Sequence, residues 1–373
     1  MQDAPSSEIY IGLMSGTSLD GVDIAIADFA HYPPRLLHCA TWPYEAELKQ
    51  RLREITINPT VSLDDLCQLD VELGQKYADI VNRTLDITGF EKTTIVAIGN
   101  HGQTIQHSPA GNMPYTLQIG DPNVIAARTG ITCVGDFRRR DVALGGQGAP
   151  LAPAFHQFLF ASDTIDRAIV NIGGISNITL LPASASPVVI GFDTGPGNTL
   201  LDYWSGKHQG AAYDDQGNWA ATGSVISKLL NSMLSDEPYF QQLPPKSTGT
   251  EYFNSNWLSP YLTEAFDPAD VQATLVELTA ETIANGLRQL PVKATEFYIC
   301  GGGVHNRYLL SRLQKLLPGC QVSSTRDLGL DPDYVEAVAF AWLARQTFNR
   351  QTGNLPGVTR ASSETILGGI YFN

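Results

Sequence analysis

The chain has 373 residues, 43% of them hydrophobic and 17% charged, with a formal net charge of −14. That length suits two ordinary domains with separate cores, and the acidic balance excludes nucleic acid as main partner, because phosphate neutralisation needs clustered Lys and Arg. No apolar run approaches the roughly 20 residues that span a bilayer, the N-terminus lacks a secretion-signal pattern, and five scattered cysteines without a C-x-x-C pair point to reduced thiols in the cytoplasm.

Residues 9–29, IYIGLMSGTSLDGVDIAIADF, read as a hairpin: a β-branched run, a turn of Gly, Ser, Thr and Asp, then an alternating run. The turn is too long and too rich in hydroxyls for a minimal hairpin loop. A helix follows, with Leu63, Leu66, Leu69, Leu73, Tyr77 and Ile80 at helical spacing behind a Ser62 cap. A buried strand, Thr94 to Ile98, runs into Gly99-Asn100-His101-Gly102-Gln103-Thr104. Asp121, Pro122 and Gly130 bound a short helix, and the strand ITCVGDF ends at Arg138-Arg139-Arg140-Asp141. The glycine loop from Gly145 leads to a helix opened by proline. RAIVNIGGISNITLL, 167–181, repeats the opening pattern of strand, small turn and strand at the start of the second half. A third strand, Val188 to Phe192, puts Asp193 at its C-terminal end before Gly195-Pro196-Gly197. The stretch 241–250, QQLPPKSTGT, reads as a surface loop. A long helix capped by Asp267 precedes the strand EFYIC, then Gly301-Gly302-Gly303 and Asn306 at a helix entrance. A further helix capped by Asp331 follows, and TILGGIYFN fits a last strand. Strands and helices alternate throughout, so the class is α/β, with a duplicated architecture and no short-period repeat.

Two glycine-rich hairpin turns form a device for holding a triphosphate, since glycines admit close approach and backbone N–H groups bind anions. Gly16, Thr17, Ser18, Leu19, Asp20, Gly21, Val22 and Asp23 make the first candidate loop, and Gly173 and Gly174 the second. Asp20 or Asp23 could hold Mg²⁺ directly or through water. There is no P-loop and no Rossmann fingerprint. Gly301, Gly302, Gly303 and Asn306 form a wall for adenine or simply a tight turn. Asp193 lies where open α/β sheets bind ligands, or else caps the next helix. Arg138, Arg139 and Arg140 form the one dense cationic run, of which at least one member is expected to face an anion. His101, a lone histidine between glycines, is either structural or a substrate contact, and Gln103 and Thr104 beside it suit sugar hydroxyls. Glu336, amid apolar residues, faces either solvent at its helix start or the site.

The motifs GLMSGTSLDGVD, GNHGQT, QIGDPNVIA, GDFRRRDVALGGQGAPLAPAFH, NIGGISN, GFDTGPGN, PKSTGTEYFN and CGGGVHN together resemble the anhydro-N-acetylmuramic acid kinase family, in the right order from residue 9 onward. The resemblance implies a two-lobed hexokinase/actin-like fold, a duplicated ribonuclease H-like arrangement with ATP between the lobes. The first lobe is expected at 1–136 plus about 360–373 and the second at 137–359. It implies ATP-dependent, Mg²⁺-assisted phosphorylation of the small amino sugar 1,6-anhydro-N-acetylmuramic acid. Water opens the ring, and N-acetylmuramic acid 6-phosphate and ADP result, in peptidoglycan recycling. Carried over by position, the ATP segment falls on Gly16–Asp23 and the catalytic base on Asp193; Glu336, outside that carry-over, is expected to play a supporting role. A homodimer is compatible with this reading. A plain anhydrosugar hydrolase and a nucleotide- or sugar-binding sensor on the same fold are the alternatives; a transcriptional sensor would need a basic helix-turn-helix segment, for which the first eight residues leave no room.

Overall fold

Alternation in the opening segment produces the hairpin it predicts. In a computed structural model, which describes residues 8–16, 19–58, 60–184, 188–244 and 246–373, β1 (Ile9–Met14) and β2 (Gly21–Asp28) pair antiparallel. Their register runs from Ile9 opposite Asp28 to Met14 opposite Asp23. β3 (Arg35–Pro43) adds antiparallel to β2, and β4 (Ile95–Asn100) adds parallel to β1. A small separate ladder, β5 (Gln103–Ser108) with β6 (Tyr115–Ile119), precedes β7 (Cys133–Gly135), which pairs parallel with β4. Helices α1 (Ala46–Ile57), α2 (Leu63–Thr88) and α3 (Pro122–Thr129) complete this region. The predicted caps Ser62, Asp121 and Gly130 are present: Ser62 accepts from the Asp65 amide, Asp121 from that of Asn123, and Gly130 ends α3 in the left-handed region, as Gly89 does for α2. Leu69, Leu73, Tyr77 and Ile80 are buried along one face of α2, while Leu63, in its first turn, overhangs and is exposed.

The short α4 (Arg139–Ala143) and α5 (Ala152–Phe160) lead to the second half. There β8 (Arg167–Ile172) and β9 (Ile175–Leu181) form the second hairpin, and β10 (Ile190–Pro196) adds antiparallel to β9. Helices α6 (Thr199–Gln209), α7 (Ser227–Asp236), α8 (Pro238–Gln241), α9 (Ser255–Leu258) and α10 (Pro268–Arg288) come next. Then come β11 (Glu296–Cys300), parallel to β8, α11 (Arg307–Leu316), and β12 (Gln321–Ser324), parallel to β11. The chain closes with α12 (Val335–Phe348) and β13 (Gly369–Tyr371), antiparallel to β7. Asp331 does not cap α12 as the sequence suggested. It accepts from the Asp333 amide and pairs with Arg326, and the helix starts four residues later.

The strand orders are β13-β7-β4-β1-β2-β3 and β10-β9-β8-β11-β12. Without β13, both read third, second, first, fourth, fifth, with the first three antiparallel and the rest parallel. That is the ribonuclease H-like order, present twice, as the resemblance implies. The chain divides into Met1–Phe155 with Tyr334–Asn373, and His156–Asp333. The boundaries expected near 136 and 360 are therefore corrected. Residues 334–359 belong with the first unit because α12 lies directly on β1 and β4, where a Cβ on Gly12 or Gly99 would overlap the carbonyls of Ala337 and Phe340. Residues 137–155 belong there because buried Asp141 accepts from Asn354 Nδ2 at 2.8 Å and Thr359 Oγ1 at 2.7 Å.

Candidate functional site

In the first unit, the loop between β1 and β2 is held from beneath by side chains. Ser15 is buried; its Oγ donates to Gln103 Oε1 at 2.6 Å, accepts from Tyr44 Oη at 2.8 Å and lies 3.2 Å from the Gly21 carbonyl. Tyr77 Oη stands 3.0 Å from Tyr44 Oη, and burial raises both phenols. Gln103 Nε2 donates to the Gly16 carbonyl at 3.3 Å. Leu19, at φ +57°, and Val22 turn their side chains into the core, so they anchor the loop. Gly21 is required by β3, since a Cβ there would overlap the Trp42 carbonyl. Thr17 and Ser18 lie outside the described residues. Of the two candidate metal ligands, Asp20 is exposed and ion-paired with Lys49 at 2.9 Å. Asp23, on β2, accepts from Thr41 Oγ1 at 2.6 Å across the strand pair.

A second cluster lies at the end of β4. His101 Nδ1 is 3.2 Å from the Ser15 carbonyl and so carries the proton, while Nε2 accepts from Arg138 Nη2 at 2.9 Å and Nε at 3.2 Å. Burial, with the charge of Arg138, pushes the imidazole down to about 3, so it stays neutral. Arg138 Nη1 donates to the Gly148 carbonyl at 2.7 Å, and Asp141 in turn holds the Gly148 amide at 2.7 Å. Burial lowers Arg138 to about 10, opposed by the charges of Glu336 and Asp141. Glu336, in the first turn of α12, is half-buried; burial raises its carboxyl, Arg138 opposes this and Asp23 adds to it. Asp23, Glu336 and Arg138 are thus electrostatically coupled.

The cationic run separates into different roles. Arg139 and Arg140 are exposed, Arg139 reaching Asp136 at 3.7 Å, and Arg138 alone joins the cluster. His101 and Gln103, expected to meet sugar hydroxyls, are buried and committed to protein groups, so they position their neighbours. Thr104 accepts from Gln118 Nε2 at 3.2 Å. Among the described residues no cluster of three or more His, Cys, Asp or Glu could hold a metal ion. Two mutually repelling carboxylates, Asp23 and Glu336, nevertheless fit Mg²⁺, which takes one or two carboxylates with phosphates and water.

In the second unit, β10 continues past Asp193, correcting the strand end expected there. The register shifts between Asp193, opposite Asn177, and Gly195, opposite Ser176, leaving Thr194 as a bulge. Thr194 Oγ1 lies 2.7 Å from Ser176 Oγ, and Gly195, at φ +149°, meets the Phe240 ring. A bulge of this kind re-aims a side chain. Asp193 caps no helix; Asn198 holds that position for α6 and donates Nδ2 to the Ile172 carbonyl at 3.1 Å. Ser247 Oγ and the Thr248 amide both donate to Asp193 Oδ2, each at 3.0 Å, and no hydrogen bond reaches Oδ1 among the described residues. Burial pushes the carboxyl up to about 6; the two donors oppose this and the charge of Glu251 adds to it.

The segment read as a surface loop is therefore part of the site. Ser247 and Thr248 stand in the PKSTGTEYFN motif, but their site role is not legible there, because a hydroxyl pair after prolines and lysine is also ordinary loop composition. Gly173 and Gly174 turn the second hairpin, and their carbonyls accept from the Gly197, Asn198 and Thr199 amides that open α6. Gly301, at φ +76°, and Gly303 are required by contact with Asn171 and Ile172, whereas a Cβ on Gly302 would meet nothing closer than 3.8 Å. Asn306 Oδ1 caps α11 through the Leu309 amide at 2.9 Å, a structural duty.

Comparison with known proteins agrees in scope with the motifs. The profile of the family described as "Anhydro-N-acetylmuramic acid kinase" matches residues 8–373. A protein of that name from Coxiella burnetii is 51% identical over 366 residues, 98% of each chain. One from Pasteurella multocida is 52% identical, covering 97% of this chain and 96% of its own. Among solved structures, component A of the (R)-2-hydroxyglutaryl-CoA dehydratase of Acidaminococcus fermentans matches with a TM-score of 0.47 at 12% identity, covering 90% of this chain and 96% of its own. The chain belongs to the anhydro-N-acetylmuramic acid kinase family and is a phosphotransferase enzyme.

Proposed function

We propose that this enzyme uses ATP to open and phosphorylate 1,6-anhydro-N-acetylmuramic acid, giving N-acetylmuramic acid 6-phosphate and ADP during cytoplasmic recycling of cell-wall peptidoglycan. The observation that carries this reading is Asp193. Its carboxylate is held through one oxygen, receives no hydrogen bond on the other among the described residues, and is pushed up to about 6 by burial, the condition of a base ready near neutral pH.

Asp193 accepts a proton from water as the water oxygen bonds to C1 of the sugar. The C1–O6 bond breaks with its electrons on O6, which bonds to the γ-phosphorus as the bond to ADP oxygen breaks. A glycosidase would supply a second carboxylic acid for that leaving oxygen; here phosphoryl transfer takes it. General-base assistance of this kind contributes about 10²–10⁴ in rate. The loop Gly16–Asp23 in the first unit and the turn Gly173–Gly174 in the second are each a phosphate-binding element, and Asp23, with Glu336 beside it, would supply the carboxylates for Mg²⁺. Bound Mg²⁺ supplies neutralisation of phosphate charge. Arg138, with its fork already oriented by His101 and Gly148, is the partner for the lactyl carboxylate of the sugar. Glu336 supports binding more than proton transfer.

The test is incubation of the enzyme with 1,6-anhydro-N-acetylmuramic acid, with and without Mg-ATP, followed by mass spectrometry of the sugar. The expected product is heavier by one phosphoryl group and one water, and forms only with ATP. A hydrated, unphosphorylated sugar formed without ATP would make the enzyme a hydrolase, and an unchanged sugar under both conditions would refute the proposal.

A further inference from the structure

The two oxygens of an aspartate are chemically alike, and the torsion that exchanges them is broad and roughly two-fold. A carboxylate on a strand bulge is not oriented by its backbone alone. At Asp193 both donors nonetheless fall on Oδ2, the Ser247 hydroxyl and the Thr248 amide each at 3.0 Å. We infer that the Ser247–Thr248 segment is a clamp that selects Oδ1 of Asp193 as the proton-accepting oxygen, with Ser247 as a positioning residue. This rests on Asp193 being the base.

The clamp is itself anchored. The Asp193 amide donates to the Lys246 carbonyl at 3.0 Å and Tyr239 Oη donates to the Asp193 carbonyl at 2.7 Å, so both peptide groups of the aspartate are fixed. Lys246 Nζ donates to the Tyr239 carbonyl at 3.2 Å and sits over its ring at 4.7 Å. Before the loop, buried Glu237 accepts from the Tyr239 amide at 2.8 Å. After the loop, the same carboxylate accepts from Tyr252 Oη at 2.9 Å and Trp257 Nε1 at 2.7 Å. One carboxylate thereby ties together both ends of the segment that holds Asp193. A buried acid satisfied by three donors is a rigid support.

A hydrogen bond to the ionised form lowers an acid's pKa and makes its acceptor oxygen less basic. Two bonds on Oδ2 therefore leave Oδ1 as the stronger base and restrain the rise caused by burial. The charged and titratable groups facing this carboxylate are Glu251 of the loop and Tyr239 of α8, while the Lys246 ammonium is turned to Tyr239; opposite on β9 stands the uncharged Asn177. Ser247 is exposed, so its substitution removes a donor without opening the core.

The test is Ser247→Ala and Ser247→Thr in the full-length enzyme, with Asp193→Asn alongside. For Ser247→Ala the acid limb of the kcat profile is expected to move up by about one pH unit, the value of one hydrogen bond to a charged group. Turnover at pH 6 should fall several-fold, with both KM values within about twofold of the parent. Ser247→Thr, which keeps the hydroxyl, should restore the parent profile. Carbon NMR titration of the Asp193 carboxyl, without substrates, should show the same upward shift in Ser247→Ala. An unmoved limb and an unmoved titration in Ser247→Ala, with Asp193→Asn inactive, would overturn the clamp and leave the base standing. Near-normal turnover in Asp193→Asn would remove the base, and with it the selection of an oxygen for catalysis, whatever the titration shows.

Discussion

In the first unit a helix rests on the sheet through glycines of the strands, and in the second through a glycine of the helix. Gly12 of β1 and Gly99 of β4 leave room for the α12 backbone, whereas Gly286 of α10 is the residue whose Cβ would press on Thr194 at 2.9 Å and Ile178 at 3.0 Å. The hairpins differ in a parallel way. The first is held by side chains around Ser15, the second by main-chain amides of 197–199 on the Gly173 and Gly174 carbonyls. One strand order has thus been built twice by different residues. A support made of backbone survives side-chain substitution, and one made of side chains does not.

The largest expected effect is on the strand glycines. Gly12→Val drives a side chain into the Ala337 carbonyl and should cost roughly 3 kcal/mol or more. Gly286→Ala meets mainly the ends of side chains and gains helix propensity, so its net cost should stay within about 1–2 kcal/mol. Denaturant titration compares them, and equal losses would erase the distinction. Next, Ser15→Ala deprives buried Gln103 and Tyr44 of their partner and should cost about 1–3 kcal/mol, with weaker calorimetric affinity for an ATP analogue. Gly174→Ala, whose Cβ would lie 3.1 Å from Thr250 Cγ2, should change stability by less than about 1 kcal/mol. A loss in Gly174→Ala as large as in Ser15→Ala would contradict backbone support in the second hairpin. Smallest is the contrast within one run. Arg138→Ala should raise KM for the sugar about tenfold, the scale of one charge-assisted contact, while Arg139→Ala and Arg140→Ala, both exposed, should change it less than about twofold. Equal effects of all three would assign the run to general charge rather than to one fork.

Much of the fold was legible because its signals are local. Period-two runs mark both hairpins, and Ser62, Asp121 and Asp267 cap helices as their sequence context predicts. The edge strand β3 and the ladder of β5 and β6 escaped, their exposed and polar residues blurring the alternation. The unit boundaries escaped because they depend on tertiary closeness, Gly12 under Ala337 and Asp141 with Thr359. At the site, the sequence pointed to Asp193, Glu336 and the run Arg138–Arg140 as chemically unusual. It could not separate residues that face a ligand from those that hold them. His101 and Gln103 look like sugar partners in a string of letters, yet both are buried beneath the loop. Ser247 and Thr248 lie more than fifty positions from the aspartate they hold, and no local period connects them.

The central claim is that the base is the bulge aspartate of the second unit and not the helix glutamate of the first. Steady-state kinetics of Asp193→Asn beside Glu336→Gln, across the pH range, tests it most directly. Asn keeps the size of the side chain and an acceptor for Ser247 and Thr248 but takes no proton. With the carboxyl raised to about 6, parent turnover should rise with pH through that value as the base ionises. Asp193→Asn should lose at least ~10²-fold in kcat, change both KM values far less, and abolish that limb, while Glu336→Gln shows a milder loss. Near-normal turnover in Asp193→Asn with an inactive Glu336→Gln would contradict the assignment and exchange the roles of the two carboxylates.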